Sequence, residues 1–284
     1  MAIPIFGADN VIDRGLDASE TTTLTVTPAA AAGFGEKQLA DDRIFETFRN
    51  GTSVTTADII TDAGLGNTED VDYFMAVGHD FSDPSKDGSG AVTLNFANST
   101  DGVAYTTIFT VTPSTNRIIV RGFTKVTDRF FRLRITRGIS FVVNIGQLQW
   151  GIRVEAPFGI GTPFDPNEES VDGRFNRSQS GNILGTVQLF TERRARVRLR
   201  LMPNSFVEGT AVGQFKEFWD NHASLLKPFL FFWNADLAGG VPPDEEDAFF
   251  GILDPSSDLR RPLTTPLDSG FRDIEFDIVG LKEQ

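Results

Sequence analysis

Glu192-Arg-Arg-Ala-Arg-Val-Arg-Leu-Arg-Leu201 alternates basic and apolar residues. A β-strand turns successive side chains to opposite faces, so Arg194, Arg196, Arg198 and Arg200 share one face and Ala195, Val197, Leu199 and Leu201 the other. One face is core and the other is charge. Downstream, Phe215, Phe218, Trp219, His222 and Leu226 recur at the spacing of a helix with one buried side, which predicts a helix over residues 210–226. Pro228-Phe-Leu-Phe-Phe-Trp233 is short and aromatic, as a buried strand should be. Further on, Ile274, Phe276 and Ile278 alternate with Asp273, Glu275 and Asp277, an acidic mirror of the arginine face. If the two strands pair in one sheet, cross-strand charge pairs follow; if they lie apart, a ring of subunits could bring them together. Those four arginines and three acids are therefore the candidate subunit interface.

At 284 residues the chain can hold two domains of ordinary size, each with its own core. With 26 Phe against 2 Tyr and 3 Trp, those cores are expected to be rich in phenylalanine, and few aromatics carry a polar handle. The absence of cysteine removes disulfides, thiolate nucleophiles and Cys-ligated metals together. A formal charge of −13 argues against nucleic-acid binding. No segment reaches the roughly 18 apolar residues of a membrane-spanning helix, so membrane insertion is not expected. Charge is nevertheless segregated. A basic run from Arg117 to Arg137 faces acidic runs at Asp165 to Asp172 and Asp244 to Asp247, an arrangement suited to contacts between copies of one chain.

Residues 1–17 mix Pro, Gly and polar residues without a period and are expected to form an N-terminal arm. From Thr21 to Gly151 short strand patterns follow one another, at Thr21–Thr27, Asp58–Asp62, Val71–Val77, Ala91–Ala97, Tyr105–Val111, Asn116–Phe123, Phe130–Thr136 and Ile139–Leu148. With turn residues between them and no convincing helix, they predict an antiparallel sandwich over residues 18–152. Asp101-Gly102 is turn chemistry between two such strands. Residues 153–185 carry Pro157, Gly159, Gly161, Pro163 and Pro166 and a polar run, which predicts an extended linker. A second β domain with one packed helix should fill residues 186–284.

Four places in the first half resemble the galactose-binding-like, or discoidin-like, jelly-roll modules. Asp41-Asp42-Arg43 with Phe45 and Phe48-Arg49 is similar to the family's early "D…T.W" stretch, with Phe for the usual Trp. Asn98-Ser-Thr-Asp-Gly-Val-Ala-Tyr105 resembles its "SNDGVNW" hairpin, Arg129-Phe-Phe-Arg-Leu-Arg-Ile135 its "ARYIRLRI" strand, and Ile145-Gly-Gln-Leu-Gln-Trp-Gly151 its closing "ISEIELYG". In the second half, Ser180-Gly181, the arginine strand, the helix with Trp219, Lys227-Pro-Phe-Leu-Phe-Phe-Trp233 and Phe271…Ile274-Glu-Phe-Asp-Ile-Val-Gly280 come in the order of the tail-tube-like domains of long-tailed phage tail-tip proteins. The two resemblances together imply an all-β, mainly antiparallel protein: a jelly-roll sandwich followed by a tail-tube-like β-barrel or sandwich. They also imply a structural virion protein of the distal tail or baseplate, assembled in the host cytoplasm. It would form a homo-oligomeric ring of roughly three or six copies that meets the tail tube, hub and tape measure.

Catalytic chemistry finds little support. His79 and His222 lack a second histidine at metal-ligand spacing, no G-x-S-x-G elbow occurs, and no Gly-rich turn joins a strand to a helix. Glu168-Glu169 and Glu245-Glu246-Asp247 fall in polar runs where solvated charge is the simpler account. No enzyme, cofactor or metal is expected, although Asp83, Asp87 and Asp101 are placed where jelly-roll loops of related modules bind calcium. The alternative to a tail role is a carbohydrate-binding module or host-surface adhesin, with Phe81, Asp101 and Tyr105 as candidate glycan contacts. Scarcity of exposed Tyr and Trp weighs against it.

Overall fold

In the computed structural model, residues 3–82, 91–165, 168–180, 183–233, 247–255, 263–265 and 268–281 are described. The chain runs β1 (Ile5–Gly7), α1 (Val11–Leu16), β2 (Thr23–Thr27), β3 (Phe48–Arg49), β4 (Val54–Asp62), β5 (Glu69–Val77), β6 (Thr93–Ser99), β7 (Thr106–Val111), β8 (Ile119–Asp128), β9 (Phe130–Phe141), β10 (Asn144–Ile145) and β11 (Gln147–Gly151). It continues through β12 (Arg153–Glu155), β13 (Glu168–Arg177), β14 (Ile183–Pro203), α2 (Asn204–Val207), α3 (Phe215–Asn221), β15 (Phe229–Phe232), β16 (Ala248–Leu253), β17 (Leu263–Thr265) and β18 (Asp268–Leu281). Two compact units emerge, one from residues 7–153 and one from residues 3–6 with the described residues after 153. The fold is all-β and mainly antiparallel.

The first unit is a jelly-roll sandwich. One sheet has the order β2-β4-β9-β6-β7, the other has β11-β5-β8, and a small β10-β3 ladder stands beside them. The alternation in β9 does what its sequence dictates. Phe131, Leu133 and Ile135 are fully buried, with Leu133 opposite Ile59 on β4 and Phe96 on β6. Phe74, Phe96, Phe131 and Trp150 fill the core, with the Phe96 ring 5.2 Å from both Phe74 and Trp150. The buried Trp150 and Tyr73 both place their polar atoms: Trp150 Nε1 donates to Thr61 Oγ1 at 3.3 Å and the Tyr73 hydroxyl to the Asp9 carbonyl at 2.5 Å.

Four sequence expectations change here. Residues 1–17 are not a coreless arm. Ile5 and Phe6 are fully buried, β1 lies between β12 and β15, and α1 buries Val11 and Ile12 behind an Asn10 cap that accepts from Ile12 N at 3.0 Å. So short an apolar run shows no period, which is why pattern reading passes over it. The stretch Ile139–Leu148 is three elements, the end of β9, β10 and the start of β11, and Gly146 makes the second of the two breaks. A side chain at Gly146 would overlap the Ile44 carbonyl.

Residues 153–185 are not a structureless linker either, since they contain β12, β13 and the start of β14. Glu168–Arg177 pairs through its backbone with Ile183–Arg194, a source of strand formation that a polar composition conceals. Finally, the helix expected over 210–226 spans only Phe215–Asn221. Gly213 at φ 86° turns the chain in, His222 Nε2 contacts the Pro228 carbonyl at 2.5 Å, and Leu226 at φ 57° ends a short 3-10 turn.

The second unit is built on a sheet of order β12-β1-β15-β16-β18-β14-β13. Its core is a phenylalanine cluster with Phe6 at the centre, stacked on Phe218 at 5.3 Å and Phe231 at 5.4 Å and within 5.9 Å of Phe276. Only residues from Glu192 onward in β14 pair with β18; its earlier half pairs with β13 alone, so β13 and β14 extend together as a two-stranded ribbon. Truncating Phe6 to Ala should cost about 3–5 kcal/mol in urea denaturation. An arm would lose almost nothing, and that outcome would refute the placement of Phe6.

Candidate functional site

The outer face of the five-stranded sheet is organised by register. Arg134 on β9 lies opposite Asp58 on β4 and Asn95 on β6, while Arg132 lies opposite Ile60 and Ala97. Arg134 grips Asp58 through two hydrogen bonds of 2.8 Å each, from Nε and Nη2. The same fork joins Arg129 to Asp62 at 2.6 and 2.8 Å. These are bidentate guanidinium–carboxylate pairs.

Arg132 behaves differently. Its guanidinium lies over the Tyr105 ring at 3.8 Å from the centroid, and its Nε is buried without a hydrogen-bond partner. Burial first, and the neighbouring Arg134 charge second, push its pKa below the usual arginine value. Burial likewise raises the Tyr105 hydroxyl. On the next strand Asn95 Nδ2 donates to Thr107 and Thr110, both at 3.1 Å. Its carbonyl oxygen accepts from no donor among the described residues. A ring, a stacked cation and an amide acceptor thus lie on one pleated face.

Tyr105 is brought there by the hairpin before β7. Ser99 Oγ donates to Asp101 Oδ1 at 2.9 Å, and the same oxygen accepts from Val103 N at 2.8 Å and Ala104 N at 2.9 Å. Those backbone donors, Val103 foremost, hold the Asp101 carboxyl below its ordinary range. Asp101 therefore builds the turn that delivers Tyr105. Gly102 takes φ 72°, and a side chain there would press on the Phe130 ring.

Of the three candidate glycan contacts, only Tyr105 stands on this face as a half-buried ring. Phe81 is 4% exposed and stacked on His79 at 4.6 Å, so it is core and cannot serve as a platform. Asp83 and Asp87 lie outside the described residues, as do Glu245 and Glu246. No group of three or more His, Cys, Asp or Glu suited to a metal ion occurs among the described residues. Sequence reasoning overlooked Asn95 and the isolation of Arg132, because pairing register is invisible in a single strand. It quoted Phe45 only as part of a family-like stretch; at 77% exposed it is the most open aromatic described, while Phe48 of the same stretch is core.

The candidate interface charges sit together in one sheet. Arg196 pairs across from Asp277 and Arg198 from Glu275, with Arg196 Nε 3.2 Å from both acids and Arg198 Nε 3.4 Å from Glu275. Asp273 Oδ1 accepts from Leu201 N at 2.9 Å where β14 bulges and Leu201 turns to φ 58°. Of the two arrangements the sequence leaves open, the structure has the one with cross-strand pairs inside one chain. Arg194 lies opposite Val279 and lines a small pocket of about 210 Å³ with Asp254 and Asp277. Arg200, with Phe158, Ile160, Leu201 and Phe271, lines an open groove of about 660 Å³.

No protein-family model matches the chain, and no curated protein does. Among solved structures, it is similar to the chitosan-binding module 1 of a chitosanase/glucanase from Paenibacillus sp. IK-5, at 18% identity and a TM-score of 0.38 over 50% of this chain and 98% of that one. It is also similar to the CBM32 of AlyQ in complex with 4,5-unsaturated mannuronic acid, at 18% identity and a TM-score of 0.35 over 45% and 92%. A Ruminococcus gnavus GH29 fucosidase in complex with fucose gives 11% identity and a TM-score of 0.38 over 50% of this chain, which spans only 26% of that enzyme. The first two are carbohydrate-binding modules by name.

His79 supplies a pH test of this unit. Its Nε2 is 2.7 Å from the Arg117 carbonyl and Nδ1 accepts from Phe81 N at 3.5 Å, an arrangement that suits a neutral ring with its proton on Nε2. Burial lowers its pKa from 6.5 to about 4. The unfolded chain takes up this proton near pH 6.5 and the folded one only near 4, so stability falls as pH drops through that window. The loss should approach about 3 kcal/mol in denaturation followed from pH 7 to 4, and His79→Asn should flatten that part of the profile.

Proposed function

We propose that the jelly-roll unit is a carbohydrate-binding module of a non-enzymatic protein, with the Tyr105–Arg132 face as its contact. The observation that carries the reading is the stacked pair itself, flanked by an open amide acceptor. Sugars are recognised by rings that cover their C–H faces together with a few fixed donors and acceptors for their hydroxyls. Tyr105 offers the ring, Arg132 the donors and Asn95 the acceptor. Asn95 and Arg132 are diagonal neighbours across β6 and β9, a separation of roughly 7–8 Å, which is the scale of one sugar ring.

The contact does no chemistry. Arg134 and Arg129 are locked by Asp58 and Asp62, so the face changes shape little on binding. Affinity then comes from preorganisation rather than from loop closure. Glycan-array binding by the full chain should be lost, at least ten-fold, in Tyr105→Ala and retained in Phe45→Ala. Loss in Phe45→Ala alone would move the contact to the loop carrying that residue and overturn this assignment.

A second reading concerns the other unit and is favoured by the β13–β14 ribbon. An isolated two-stranded ribbon is marginal in water, and among the described residues β13 is an edge strand of ten residues with backbone groups available for another chain. Exposed Val187 lies on that ribbon. This suits a subunit of a ring, as in the distal tail or baseplate of a long-tailed phage, where the jelly roll would act as the host-surface adhesin. Because Arg196 and Arg198 are paired internally, ring contacts would rest on backbone pairing. Native mass spectrometry should show a discrete ring that persists to about 1 M salt. A strict monomer, or a ring that dissolves in salt, would count against edge pairing.

A further inference from the structure

On and beside the outer face of the five-stranded sheet, two arginines pair with carboxylates and Arg132 does not. Arg129 has Asp62 and Arg134 has Asp58. Arg132 has Ile60 and Ala97 opposite it, Tyr105 beneath it, and no carboxylate partner among the described residues. Two guanidinia, Arg132 and Arg134, stand against the single carboxylate of Asp58, so one positive charge on this patch is uncompensated. The depression of the Arg132 pKa by burial and by Arg134 is what a cation lacking a counter-charge should show. Asp101 is engaged by its own turn, and the acid whose charge bears on Arg132 is Asp58.

Resting on the carbohydrate reading above, we propose that Arg132 receives a carboxylate, and that the ligand class of this face is an acidic sugar carrying a uronic acid. A carboxylate presents two coplanar oxygens at the spacing of the guanidinium fork. Stacking on Tyr105 fixes the plane of that fork, so less side-chain freedom is lost when it closes on the ligand. A neutral sugar supplies only uncharged oxygens, leaving the excess charge where it was. The hydroxyls of the acidic sugar would reach the Asn95 carbonyl on the neighbouring strand, as any hexose would. Charge thus selects the class, and the ring and amide hold the sugar.

The test uses the full chain and short oligosaccharides of galacturonic, glucuronic and mannuronic acid, each as free acid and as neutral methyl ester. Titration calorimetry should find at least one free acid bound ten- to hundred-fold more tightly than its ester, with the gap narrowing as salt is added. In Arg132→Gln the ratio of acid to ester affinity should fall toward one, beyond any loss common to both forms, and Arg132→Lys, which keeps the charge without the fork, should fall between. The comparison of acid with ester in the unaltered protein stands even if a variant fails to fold. Equal binding of acid and ester would overturn the carboxylate assignment and leave the carbohydrate reading intact. Binding of neutral sugars on an array with no binding of any free acid would do the same. No binding of either form, and none on an array, would overturn both.

Discussion

The pleat gives every strand of this chain two faces with a period of two, and the sequence loads those faces with incompatible chemistry. That constraint organises both units. In β9 it drives Phe131, Leu133 and Ile135 into the core and leaves Arg132 and Arg134 outside. In β14 it does the same with Ala195, Val197 and Leu199 against Arg196 and Arg198. A slip of one residue in either strand would bury guanidinium groups, so register is fixed by the cost of desolvating charge as much as by apolar packing.

The two arginine faces resolve their charge differently. On the β14–β18 pair the arginines meet acids directly across the ladder, and most of these side chains are solvent-accessible, so each pair contributes at most about 1 kcal/mol. Their value is in specifying which strand lies opposite which. On β9 the register places one arginine against a carboxylate and the next against apolar neighbours. The difference between a paired arginine and one with no carboxylate among the described residues therefore comes down to which residue β4 and β6 present at one rung: Asp58 and Asn95 for Arg134, Ile60 and Ala97 for Arg132.

How much of this was legible in the sequence follows from the range of each interaction. Strands with clean alternation, such as Phe130–Thr136 and Phe271–Leu281, were legible because burial is written into each residue. The short β1 and the polar β13 were not, because their stability comes from partners far along the chain. The helix was legible in its Phe215, Phe218, Trp219 face, but its ends depend on backbone turns at Gly213 and Leu226 that periodicity overruns. At the candidate site, Tyr105 and the Asp101 turn could be read locally. The isolation of Arg132 could not, since it is a property of three strands together, and Phe81 misled because an aromatic in a loop pattern can still be core.

The uneven length of β14 has a mechanical side. Its first half belongs to the ribbon, Glu192–Arg194 pairs with both β13 and β18, and the remainder pairs with β18, all within one continuous strand. A pull at the ribbon's tip along the strand is therefore delivered to the ladder with β18 in shear, where many hydrogen bonds resist together instead of parting one after another. A chain fastened to its surroundings by this ribbon would transmit load to its own core rather than to a loop.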